Sequence, residues 1–224
     1  MKYLKKYHLF ESHDEIYQMY RNPLFEICSK YNIENYTINS DETIDVDDHV
    51  YLSNIKSLTK LPLRFNKVSG DFYCDNNQFT SLKGAPKKVG GNFSCTRNQL
   101  TSLECSPKEV GGNFDCSYNQ ITSLEGVPKE VGGYLYCRYN QLMDLNNLPN
   151  VSKRIYLIGN PVNSIVYEWI KDPEERWEKW EYFQDLSIIQ GDQVIFPRLE
   201  EFHEVMEIPM PNLNEIKKYY KIIQ

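Results

Sequence analysis

Residues 91–111 read Gly-Asn-Phe-Ser-Cys-Thr-Arg-Asn-Gln-Leu-Thr-Ser-Leu-Glu-Cys-Ser-Pro-Lys-Glu-Val-Gly, and the same pattern stands one period before and one period after. Cys74, Cys95, Cys116 and Cys137 are each 21 residues apart, as are Asn77, Asn98, Asn119 and Asn140. Leu61, Leu82, Leu103, Leu124 and Leu145 keep the step, together with Gly70, Gly91, Gly112 and Gly133 and with Pro86, Pro107, Pro128 and Pro149. Such a period means a stack of like units, none of which buries its apolar face alone. The ends are less regular. Residues 51–62 form a first unit without the double glycine, and the last unit is one residue short, since Cys137 to Leu157 is 20. About five strands and part of a sixth are expected to stack.

Within each unit Phe93 and Cys95 stand two apart, as a short strand with one inward face requires, and Asn98, Leu100 and Leu103 follow on the return path. This order resembles the leucine-rich repeat, L-x-L-x-x-N-x-L-x-x-L, with Phe and Cys in the two strand slots. More narrowly it is similar to bacterial and phage repeats of the N-Q-L-T-S-L-x-G-x-P-K-x-V-G-G type, over about Val50 to Val162. The resemblance implies an α/β solenoid: a short parallel sheet with a concave outer face, an N-terminal helix and hairpin cap, and a mostly helical C-terminal cap. It extends to a group of tailed-phage repeat proteins with similar flanking segments. That group implies a phage-encoded, non-enzymatic protein-binding module, an inhibitor of a host protein, for example one of antiviral defence, acting in the host cytoplasm. A second expectation is structural, because Leu9-Phe10-Glu11 after a basic leader resembles the capsid-targeting leaders of internal phage head proteins.

The chain divides on this reading into residues 1–49, 50–162 and 163–224. Residues Glu11 to Tyr31 carry Ile16, Met19, Tyr20, Leu24, Ile27 and Cys28 at helical spacing, read as one helix broken at Pro23. Tyr36, Ile38, Ile44 and Val46 alternate around Asn39-Ser40-Asp41-Glu42, a hairpin. Beyond Pro161, Asn163 is expected to cap a helix to about Lys171, and Asp172-Pro173-Glu174-Glu175 to start another, with Val166, Trp169, Ile170, Trp177 and Trp180 as its buried stripe. Residues 186–189 and 194–196 pair around Gln190-Gly191-Asp192-Gln193, then a helix carries Leu199, Phe202, Val205 and Met206. The last residues, 219–223, fit helix and strand equally.

With 224 residues, 41% hydrophobic and 25% charged, the chain is long enough for a sizeable core and too apolar for a disordered tail. No uncharged run approaches the ~18 apolar residues of a membrane span, and the leader is not a signal peptide, so a cytoplasmic protein without membrane contact is expected. A net charge of −6 makes nucleic acid an unlikely partner. The cysteines lack any Cys-x-x-Cys, which points to buried free thiols rather than to a metal site or disulfides. Each ladder asparagine is expected to satisfy backbone groups. The double glycines fit tight turns, and without a following Lys-Ser or Lys-Thr they are not phosphate loops. His8, His13, His49 and His203 are scattered, and neither G-x-S-x-G nor H-E-x-x-H occurs, so no catalytic residue, metal ligand or cofactor is expected. The repeats are also similar to those of secreted bacterial ubiquitin ligases, which need a catalytic cysteine in a C-terminal domain. The chain has none after Cys137.

The residues flanking the inward Phe and Cys slots are what differ from unit to unit. They form columns: Asp71, Asn92, Asn113, Tyr134 and Arg154; Tyr73, Ser94, Asp115, Tyr136 and Tyr156; Asp75, Thr96, Ser117, Arg138 and Ile158; and Asn76, Arg97, Tyr118 and Tyr139. From them Tyr73, Asp75, Asp115, Tyr118, Tyr134, Tyr136, Arg138, Tyr139, Arg154 and Tyr156 are taken as the surface for a protein partner, because exposed Tyr and Arg are typical interface anchors. Asn92, Ser94 and Thr96 are read as bland solvent positions. The Trp-rich segment 172–183 is the rival surface.

Overall fold

The computed structural model describes residues 22–167, 169–170 and 174–224. The expected helix before residue 22, the phage-like leader and the expected helix start at Asp172-Pro173 lie outside them. The first described helix, α1 (Pro23–Lys30), opens on Pro23, the residue at which the sequence places the break. Its missing N–H is one that the first turn leaves unpaired anyway, and the Asn22 side chain accepts from Leu24 N at 3.0 Å. The expected hairpin follows as β1 (Tyr36–Ile38) and β2 (Ile44–Val46), antiparallel.

From there the chain winds as a two-sheet parallel β-solenoid. One sheet holds β3 (Val50–Tyr51), β5 (Phe72–Tyr73), β7 (Phe93–Ser94), β9 (Phe114–Asp115), β11 (Leu135–Tyr136) and β13 (Ile155–Tyr156). The other runs β1-β2-β4-β6-β8-β10-β12, where β4 is Phe65–Val68, β6 Lys88–Val89, β8 Glu109–Val110, β10 Glu130–Val131 and β12 Asn150–Val151. Pairing keeps the 21-residue register, as in Phe93↔Phe114, and drops to 20 at Leu135↔Ile155.

The parallel solenoid is as expected, and among the described residues no helix lies between successive strands of the repeats, where a second parallel sheet forms the return path. Proline, Ser and Thr fill that path, and 21 residues leave no room for a helix after two turns and two strands. The β1–β2 hairpin adds its second strand to this return sheet, parallel to β4. Corner glycines are needed for closeness rather than for φ. A Cβ at Gly111 would stand 2.3 Å from the Gly90 carbonyl oxygen of the turn below. The other corner does need a positive φ, supplied by Gly126 at 84° and, less comfortably, by Cys105 at 66°.

Between the sheets the repeat slots become ladders. Phe72, Phe93 and Phe114 are fully buried, with ring centroids 5.6 and 5.4 Å apart and planes within 7° of parallel. Asn98 accepts from Phe79 N at 3.0 Å and donates to the carbonyls of Cys74 and Cys95. Asn77, Asn119, Asn140 and Asn160 do the same one turn apart. The asparagine column thus stitches each turn to its neighbours where the strand ends.

The C-terminal region is partly helical. It has α2 (Asn163–Val166), α3 (Arg176–Asp185), α4 (Phe196–Val205), α5 (Leu213–Ile216) and a sheet of β14 (Ile189–Gln190), β15 (Gln193–Ile195) and β16 (Lys221–Ile223). Asn163 is not a cap: Val162 precedes the helix and Asn163 is already helical. Helix α4 opens at Phe196, which was expected to continue the strand, and Val205 at its end is 57% exposed. The buried face of α3 is Arg176, Trp180 and Phe183, with Trp177 only partly covered. Arg176 donates to the carbonyls of Val151 at 2.7 Å and Lys153 at 3.0 Å, on and just beyond β12. Within residues 219–223 the strand begins at Lys221, where β16 pairs parallel with β15.

Candidate functional site

Alternation along the β3–β13 sheet sends Phe and Cys inward and the residues between them outward. The outward columns do not form one uniform surface. At the C-terminal end Tyr136 and Tyr156 stack at 4.9 Å, and Tyr134 leans on both at 5.8 and 6.0 Å. The Arg138 guanidinium lies 5.0 Å from the Tyr136 ring centre, and the Lys153 ammonium 5.0 Å from that of Tyr134. Arg154 stands exposed beside them. Burial, with Tyr156 and Tyr134 nearby, raises the Tyr136 phenol above its ordinary range, so it remains a hydrogen-bond donor at neutral pH.

Tyr118 and Tyr139 stand elsewhere, at the turn after the strands. Their rings stack at 4.6 Å, both side chains are exposed, and Arg97 covers Tyr118 from 4.9 Å. At the opposite end Tyr73 stacks on Tyr51 at 5.7 Å, and His49 on Tyr51 at 5.9 Å. Sequence spacing missed Tyr51, His49 and Lys153. Tyr51 precedes Tyr73 by 22 residues rather than 21, which hides it from the column, and Lys153 lies between columns.

The middle of the face overturns the bland reading of its small residues. Asp75 accepts from the Ser94 hydroxyl, from Thr96 N at 2.8 Å and Oγ1 at 3.0 Å, and from the Ser53 hydroxyl at 3.2 Å. Asp71 accepts from Asn92 Nδ2 at 2.9 Å, and Asn92 Oδ1 in turn accepts from Asn113 N. Ser94 and Ser117 are buried. Short polar side chains in adjacent turns stand close enough to bond one another, so this half of the face is a closed network. Asp115 accepts from Ser117 N at 2.9 Å, while desolvation raises its carboxyl pKa. The rival surface fares poorly too: Trp169 and Trp180 are buried in an aromatic cluster with Phe183 and Phe202.

Among the described residues no group of three or more His, Cys, Asp or Glu side chains is placed to hold a metal, and no helix is long and apolar enough to cross a membrane. All six cysteines are free, and only Cys105 is exposed. Burial pushes the thiols of Cys74 and Cys95 well up, and Cys28 to about 11; for Cys116 a hydrogen bond with Cys137 adds to burial and leads it. Thiolates are the reactive form, so a disulfide-exchange reagent at neutral pH is expected to titrate one cysteine per native chain and six after unfolding. Cys105→Ser should remove the native reaction, and rapid native labelling of that variant would show the ladder to be accessible.

No protein family, curated protein or solved structure matches the chain.

Proposed function

We propose that the chain is a non-enzymatic protein-binding module that engages its partner through the outward face of the β3–β13 sheet. The observation that carries this reading is the convergence of Tyr134, Tyr136, Tyr156 and Arg138 on one patch. Tyrosine supplies wide contact area with few rotors to immobilise, and Tyr and Arg dominate the strongly contributing residues of protein interfaces. A stack of two-residue strands joined by short turns holds these side chains in fixed relative positions before a partner arrives, which lowers the ordering cost of binding. The leucine-rich-repeat resemblance supports a recognition role, and its phage-type repeats support the narrower reading of a phage inhibitor of a host protein.

Capture of the partner by tagged protein from cells that express the chain, followed by its purification, supplies the measurement. Replacing Tyr136 and Tyr156 together by Ala is expected to weaken binding by about 2 kcal/mol, roughly thirtyfold in Kd. The double variant should keep its circular dichroism, since both rings are outward. A folded double variant that binds normally would overturn the assignment of this face.

A further inference from the structure

Resting on that reading of the face, we infer that the partner presents an acidic, extended polypeptide segment, and that the surface receiving it continues from the tyrosine patch over the turn ladder of Arg97, Tyr118 and Tyr139. The first ground is charge. On the N-terminal half of the face the carboxylates of Asp71 and Asp75 are already occupied by neighbouring donors. The cations Arg138, Lys153 and Arg154 on the C-terminal half, and Arg97 at the turn after β7, form no ion pair with a described residue, although Arg138 lies near enough to Asp115 to favour its carboxylate. Arg138 Nε is moreover buried without a hydrogen-bond partner. Guanidinium, ammonium and protonated phenol offer donors in excess of acceptors, which is the complement of a carboxylate-rich chain.

The second ground is backbone geometry. Arg97, Tyr118 and Tyr139 hold φ of 51°, 57° and 53°, in a slot that Asn54, Asn76 and Gly159 fill in the other turns. Asn and Gly tolerate the left-handed region and bulky residues resist it, so the fold does not call for Arg or Tyr there. Gly159 completes the ladder: a Cβ at that position would stand 2.6 Å from Tyr139 Cδ1, so its absence lets the ring lie over the next turn. The third ground is reach. Arg97 stands at the turn after β7 and Arg154 just before β13, three turns along the stack and in different columns across it, so they lie at least roughly 14 Å apart and only an extended segment spans both. Single-stranded nucleic acid is the less favoured anion, because Tyr118, Tyr136 and Tyr156 already stack on a ring or guanidinium, and because the chain carries a net charge of −6.

Fluorescence anisotropy at low ionic strength tests this with three labelled probes: a short peptide alternating Glu and Gly, its Lys counterpart, and oligouridylate of equal charge. The Glu peptide is expected to bind and to weaken as salt is added, with the Lys peptide at least about tenfold weaker. Arg97→Gln with Arg154→Gln, both at exposed positions, should lower affinity by about tenfold or more, and Tyr118→Asn with Tyr139→Asn, which suits the backbone, should lower it severalfold without loss of fold. No binding of the Glu peptide, equal binding of the Lys peptide, tighter binding of oligouridylate, or unchanged affinity in the Arg variant would overturn the inference. If the Glu peptide fails while the Tyr136 and Tyr156 double variant still releases the captured partner, the acidic-segment inference falls and the binding face stands. If the peptide binds through the turn ladder while that double variant holds the partner normally, the binding-face reading falls instead.

Discussion

Phe93→Ala is expected to lower the stability of the chain by about 3–5 kcal/mol, a large share of what an ordinary domain has. Phe93 is fully buried in the middle of a stack, with Phe72 on one side and Phe114 on the other. Removing its phenyl ring withdraws apolar area from the core and deprives both neighbours of a packing face. The surrounding turns cannot collapse into the space, because each is held at the strand spacing by backbone hydrogen bonds such as Phe93 N to Asn113 O at 2.8 Å. Phe93→Leu is the control. Leu135 occupies the same slot two turns on, so leucine fits the site and should cost about 1 kcal/mol. Urea unfolding followed by circular dichroism checks both, and an Ala variant within about 1 kcal/mol of the parent would show the inward register to be misread.

Asn119→Ala is expected to cost about 2–4 kcal/mol although it removes no apolar contact of note. The Asn119 side chain accepts from Leu100 N at 3.0 Å and donates to the carbonyls of Cys95 and Cys116 at 3.1 and 3.0 Å. Asn98 also donates to the Cys95 carbonyl, so that oxygen keeps a partner, whereas Leu100 N is left buried with none. An unmade bond in the interior costs more than a made one contributes, since the group has given up water. Asn119→Asp separates the two roles: the carboxylate still accepts from Leu100 N but has nothing to donate to two carbonyls, and it places a charge in the core. It should fall at least as far as the alanine variant at neutral pH and recover part of the loss as the pH drops and the carboxyl protonates. Equal stability of the parent and Asn119→Ala would mean that the asparagine column is dispensable.

These two residues mark what was legible without coordinates. The 21-residue period places Phe93, Cys95, Asn98, Leu100 and Leu103 in fixed slots, and a slot repeated in adjacent turns faces copies of itself. Inward direction, the stacking of like residues and the need for every asparagine amide to find partners all follow from that repetition and from strand alternation. The outward columns were legible as positions, which is why Tyr134, Tyr136, Arg138 and Tyr156 could be named before they were seen together.

What lay beyond the pattern has one physical cause: it depends on groups that meet without a repeat to align them. The second sheet arises because prolines, hydroxyl residues and a short path exclude a helix, and its strands from β6 to β12, two residues each, are too short to show an alternation. Pairing of β2 with β4, of β16 with β15, and of Arg176 with the carbonyls of Val151 and Lys153 joins segments with no common period. Ser94 and Thr96 look like solvent positions in any single turn. They become ligands of Asp75 only when stacking brings the neighbouring turn to hydrogen-bond distance. Likewise the left-handed φ shared by Asn76, Arg97, Tyr118 and Tyr139 separates the turn ladder from the sheet face, and that division came from the folded backbone rather than from residue type.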